Sequence, residues 1–135
     1  MTTRLALISC LTVALAGCAK TLITSPTATA VAADPNTFTN QVAPGGSASR
    51  DLTLTAAGQL SATLTSTTPP GAVLGVGLGI PRANNQCALS SAIATVAGAS
   101  ARIAMPADGG PYCVRVFDTG TLTAPVSFTV AITHP

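Results

Sequence analysis

Apolar and polar residues alternate with a period of two from about Asp34 onward. Leu52 and Leu54 alternate with Asp51, Thr53 and Thr55, and Leu60, Ala62 and Leu64 with Ser61, Thr63 and Thr65. Leu74, Val76, Leu78 and Ile80 alternate with glycines, Tyr112, Val114 and Val116 with Cys113, Arg115 and Phe117. Val126, Phe128, Val130 and Ile132 alternate with Ser127, Thr129, Ala131 and Thr133. A helix would repeat near 3.6; a period of two with β-branched polar partners marks strands that bury one face. Turn signals separate the runs at Pro44-Gly45-Gly46, Gly58-Gln59, Pro69-Pro70-Gly71, Asp108-Gly109-Gly110 and Asp118-Thr119-Gly120. The pattern predicts an all-β domain over residues 34–135, an antiparallel β-sandwich of about seven to eight short strands. The Ala-rich stretch Ser90 to Ser100 reads as strand or loop, with room for a helical turn.

One strand needs a separate explanation. Gly75, Gly77 and Gly79 strip the side chains from a whole face of the Leu74–Ile80 run. Each interior glycine costs about 0.5–1 kcal/mol relative to alanine. Either the preceding tether or a neighbouring loop lies close against that face, or the face receives a ligand or partner strand. In the second case Arg82, Asn84 and Asn85, in the loop that follows, would complete the site.

The first residues read as an address. Met1 to Arg4 is a short positive start, and Leu5 to Ala16 an apolar run of 12 residues. A membrane-spanning helix needs about 20 residues, so this run fits a secretory signal. It closes on Leu15-Ala16-Gly17-Cys18, which resembles the lipobox of bacterial lipoproteins. Leu7-Ile8-Ser9-Cys10 has the same pattern but leaves too little apolar chain before it. The resemblance implies a signal peptide over 1–17, cleavage before Cys18, and acylation of that cysteine. Two or more acyl chains hold a protein stably on a bilayer. Ala19, where an aspartate would retain the protein at the inner membrane, implies the outer membrane. Residues 18–33, rich in Thr, Ala and Ser, read as the lipidated start of a flexible tether.

With Cys10 removed and Cys18 acylated, Cys87 and Cys113 remain. An even pair in an exported protein is read as a disulfide.

Composition narrows the chemistry. Only 7% of the 135 residues are charged, against about 25% in an ordinary domain. The four acids are all aspartates, there is no tryptophan, and the one histidine is His134. Scattered basic residues make no nucleic-acid surface. So few acids leave little for general acid–base work, a metal cage or a cofactor. Asp108 and Asp118 precede glycine-containing turns, where an aspartate bonds nearby backbone amides. Phe38, Phe117, Phe128 and Tyr112 are the aromatic material for a core.

The segment Gly110-Pro111-Tyr112-Cys113-Val114-Arg115-Val116, followed by Val126-Ser127-Phe128-Thr129-Val130, resembles the closing hairpin of bacterial pre-peptidase C-terminal domains. Thr37-Phe38 and Leu60-Ser61-Ala62-Thr63-Leu64 fall where that family has earlier strands. The resemblance spans about residues 36–133 and implies a jelly-roll-like sandwich, usually an accessory module on secreted enzymes or envelope proteins. The family's acidic middle strand is replaced here by Leu74 to Ile80, which has no acid, so no calcium site carries over. The expected function is a lipid-anchored envelope module, structural or protein-interacting and not an enzyme. It would meet an envelope protein through an apolar sheet face or an edge strand. The alternative is a lipoprotein that binds a carbohydrate or other small ligand on the glycine face and the Pro81-to-Gln86 loop.

Overall fold

The computed structural model describes residues 36–135. The expected signal peptide, the lipidation site Cys18 and the tether lie outside these residues. Eight strands follow in order: β1 (Thr37–Val42), β2 (Ser47–Leu54), β3 (Gly58–Thr68), β4 (Leu74–Arg82), β5 (Gln86–Thr95), β6 (Arg102–Ala107), β7 (Gly110–Asp118) and β8 (Val126–Thr133). A single 3-10 turn, Ala83–Asn85, joins β4 to β5.

The strands form two four-stranded sheets, ordered β1-β8-β3-β6 and β2-β7-β4-β5. Every pairing is antiparallel. Strand β1 pairs with β8, β2 with β7, β3 with β6 and β4 with β5, as though one long hairpin had been rolled up on itself. The β8–β3 and β7–β4 pairings then close each sheet. This is the jelly-roll order, a double Greek key that turns two facing sheets into one core.

The predicted alternation fixes which face turns inward. From β4 come Leu74, Val76 and Leu78, from β7 Val114 and Val116, from β8 Val126, Phe128, Val130 and Ile132, and all are buried. Leu60, Ala62 and Leu64 of β3 and Phe38 and Val42 of β1 join the β8 residues in the first sheet and face those of β4 and β7 across the core. Phe38 and Phe128 pack edge to face, centroids 5.1 Å apart at 80°, an arrangement worth about 0.5–1.5 kcal/mol beyond the area it buries.

One expectation changes and another is resolved. Phe117 is not core: it shares the outward face of β7 with Cys113 and Arg115 and lies half-buried against Gly75. Ser90 to Ser100 divides, its first part being the end of β5 and its second a loop that returns to β3. That loop satisfies a backbone the ladders leave open. The Leu64 N–H donates to the Ala101 carbonyl at 2.9 Å, and the Gly98 N–H donates to the Leu64 carbonyl at 2.9 Å. Both bonds sit where β3 shifts register between Leu64 and Ser66.

Candidate functional site

The outer face of the second sheet carries the chemistry. Strand β7 presents Cys113, Arg115 and Phe117 there. Strand β2 sets Ser47 opposite Phe117, Ser49 opposite Arg115 and Asp51 opposite Cys113. On the other side, β4 sets Gly75, Gly77 and Gly79 opposite the same three residues.

The glycine face is not bare. A Cβ on Gly75 would lie 2.3 Å from the Phe117 ring, and one on Gly77 2.7 Å from the Leu89 side chain. At Gly79 the obstacle is main chain: a Cβ would stand 1.9 Å from the Ala88 carbonyl oxygen and 2.9 Å from the Leu89 Cα. The backbone of β5 therefore passes directly over Gly79. It reaches there through a bulge, since Leu78 pairs with Ser91 and Gly79 with Leu89, leaving Ser90 extra. An extra residue bends its strand and increases the twist. Of the two sequence explanations for the glycines, the geometry matches close approach by neighbouring parts of the chain: Phe117 of β7 over Gly75, and β5 over Gly77 and Gly79.

The bend brings Cys87 to Cys113. The two form a disulfide with Cα atoms 5.8 Å apart, a normal span for a bridge. It pins the β4–β5 tip to β7 across the intervening β4. Such a bond persists in oxidising compartments, in line with an exported protein.

Under the pinned tip lies an open hollow of about 360 Å³. Ser47, Ser49 and Arg115 line it from β2 and β7, and Asn84, Asn85 and Gln86 from the tip. Asn84 and Asn85 have φ of 62° and 55°, left-handed values that asparagine accepts more readily than most residues. The half-buried Arg115 donates from Nη2 to Ser47 Oγ at 3.1 Å. Its guanidinium lies 5.9 Å from the Phe117 ring centroid, within cation–π range. Its Nε is buried without a hydrogen-bond partner.

Of the six residues expected at a ligand or partner face, Asn84 and Asn85 line this hollow. Gly75, Gly77 and Gly79 lie beneath Phe117 and β5, and Arg82 is the exposed last residue of β4. Sequence reasoning missed Ser47, Ser49 and Arg115. Alternation does place Arg115 on the cysteine face of β7, but it cannot show that β2 is the neighbour.

Asp118 acts as a knot. Its Oδ2 accepts the Gly45 N–H at 2.8 Å, and its Oδ1 accepts those of Gly120, Thr121 and Leu122 at 2.8, 3.0 and 3.1 Å. The Gly45 bond leads in holding this carboxyl below its ordinary value of 3.8, helped by the other three amides and opposed by desolvation. A carboxyl lowered on folding stabilises the fold above its unfolded value, and that contribution disappears as pH falls through the lowered value. Stability should therefore decline with acid below about pH 4 in the wild type, and Asp118→Asn should flatten that decline in acid titrations followed by denaturant melts. At Asp108 the bond runs differently, from its backbone N–H to Tyr112 Oη at 3.0 Å.

A second concavity, about 370 Å³, opens at one end of the sandwich between the β3–β4 and β7–β8 connections. Pro69, Pro70, Val73, Leu122 and Ala124 make it largely apolar, and no ionisable side chain lines it. His134 is exposed, with Nδ1 2.9 Å from the Pro135 carbonyl oxygen. Among the described residues no three His, Cys, Asp or Glu side chains converge as metal ligands.

No protein-family model matches the chain, and no curated protein does. Some solved structures are partly similar to it. A periplasmic inhibitor of g-type lysozyme from Aeromonas hydrophila, PliG, is 12% identical, with 72% of this chain and 84% of that one covered and a TM-score of 0.49. A Yersinia pseudotuberculosis-derived mitogen is 15% identical over 73% of this chain and 86% of that one, also at 0.49. A protein from Sulfurospirillum deleyianum is 9% identical over 76% of this chain and all of that one, at 0.36. What these similarities have in common with the chain is the β-fold alone.

Proposed function

We propose that this chain is a non-catalytic protein-interaction module of the cell envelope, tethered to the outer membrane through lipid on Cys18. A partner protein adds a strand to the outer edge of β5. One observation carries the reading: β5 is a ten-residue edge strand without a charge or a proline. Edge strands are normally guarded by such residues against unwanted pairing. Here β2 carries Arg50 and Asp51 and β6 carries Arg102 and Pro106, while β1, which also lacks both, is six residues long against ten for β5. Among the described residues, the two exposed large hydrophobic side chains, Ile80 and Val96, stand near opposite ends of the β4–β5 ladder. An exposed edge of this kind is where an extended segment adds by main-chain hydrogen bonds. The small supply of acids and the position of His134 support a role without catalysis.

Crosslinking in intact cells tests both halves. The wild type should yield one specific partner, and Ala92→Lys with Ala94→Lys should abolish that product while the domain stays folded. Cys18→Ala should move the protein out of the membrane fraction. A partner captured equally by the lysine variant would refute the β5 edge, and unchanged membrane partitioning would refute the anchor. A second reading, capture of a small polar ligand, is supported by the hollow around Arg115.

A further inference from the structure

We propose that the hollow around Arg115 binds an acidic sugar, with the carboxylate on the guanidinium and the ring hydroxyls on the surrounding amides and hydroxyls. Arg115 is a permanent cation, half-buried, and among the described residues no carboxylate pairs with it. Both acids of the same sheet are accounted for. Asp118 spends its carboxylate on four backbone N–H groups. Asp51 stands exposed beside Cys113, one step beyond the Ser49–Arg115 pair. Among the described residues, Arg115 is the one charged side chain that lines the hollow, so the group it would pair there is an anion.

The remaining lining decides what carries that anion. Ser47 and Ser49 offer hydroxyls, and Asn84, Asn85 and Gln86 offer amides. Each of these groups both donates and accepts hydrogen bonds, as vicinal ring hydroxyls require of a partner. An aspartate or glutamate side chain of a protein would engage the cation and leave the other five groups unused. The volume, about 360 Å³, lies at the small end of ligand clefts, which span roughly 300–1,000 Å³, and suits a single sugar ring. The walls are preformed. The β2–β7 ladder fixes the floor, and the Cys87–Cys113 bridge holds the tip over it. A site rigid before binding loses less entropy on binding. It lies on the sheet face and does not depend on pairing at the β5 edge.

Isotope-labelled, disulfide-intact full chain in detergent tests this by amide chemical-shift titration. Galacturonate should give saturable shifts at Ser47, Ser49, Asn84 to Cys87 and Arg115. Galactose, which lacks the charge, and acetate, which lacks the ring, should each bind about tenfold or more weakly, since a charge-assisted bond and the hydroxyl contacts are removed separately. Arg115→Gln should abolish the galacturonate shifts. Asn85→Gly, which tolerates the left-handed turn and removes one amide, should weaken them while the rest of the spectrum is unchanged. Tighter binding of trigalacturonate than of galacturonate would identify the source as a unit within an acidic polysaccharide, and equal binding a free sugar acid. No saturable shift at these residues would overturn the proposal. So would acetate matching galacturonate, or a glutamate-containing peptide exceeding it.

Discussion

Replacing Cys87 and Cys113 together by alanine is expected to lower the free energy of unfolding by about 3–4 kcal/mol, the cost of releasing a closed loop of this length. The two cysteines are 26 residues apart in sequence, and the loop between them includes β6 and most of β5. The bridge also holds the bent β4–β5 tip over β7, a conformation that few other contacts secure. Asn84, Asn85 and Gln86 are all exposed, so no apolar burial would keep the tip in place. Urea denaturation of the oxidised wild type and the double variant, at one pH and temperature, measures the difference. A loss below about 1 kcal/mol would mean that the bridge constrains little, against the loop-entropy argument.

The second large effect belongs to Gly79. Alanine there would place its Cβ against the main chain of β5. Backbone cannot swing aside as a side chain does, so β5 must move and strain its bond to Cys113. Gly79→Ala should cost about 2–3 kcal/mol, in the upper part of the range for overpacking. Gly75→Ala is the internal control. Its Cβ would meet only the Phe117 ring, which can rotate away at the surface, and the substitution removes about 0.5–1 kcal/mol of glycine's own strand penalty. It should be close to neutral. Equal effects at the two positions in denaturant melts would contradict the backbone approach at Gly79.

These two substitutions also separate what the sequence makes legible from what it does not. Glycines at alternate positions of β4 signal close contact, but not whether a ring, an aliphatic side chain or a backbone makes it. That depends on neighbours brought together over long sequence distances: Phe117 from β7, Leu89 and Ala88 from β5. The buried faces of β3, β4, β7 and β8 follow directly from alternation, because burial on one face imposes the period. Strands β5 and β6 were harder to read. Alanine and serine dominate β5, giving weak contrast between its faces, and β6 is short and contains Pro106. The disulfide was legible because only two cysteines remained once the leader was set aside. The hollow was half legible: Asn84 and Asn85 advertise a polar turn, whereas the serines and Arg115 join it only through the β2–β7 register. Phe117 departs from the expected core position for a related reason. An aromatic residue in a small domain is normally core, yet the empty glycine row gives this one a seat on the outside.

The rolled topology has a kinetic consequence. Thr37 pairs with Ala131 and Val42 with Val126, so β1 has no strand partner within its own sheet until β8 arrives. Strand β8 is also central, between β1 and β3. The first sheet therefore cannot assemble progressively from the N-terminus; it waits for the last strand. Folds dominated by such distant pairings close slowly, on millisecond-to-second scales. For a chain proposed to cross a membrane before folding, delay is an advantage: it stays threadable until its C-terminal strand has followed it through. The same arrangement makes the domain intolerant of C-terminal truncation, because losing β8 would orphan β1 and expose β3 at once.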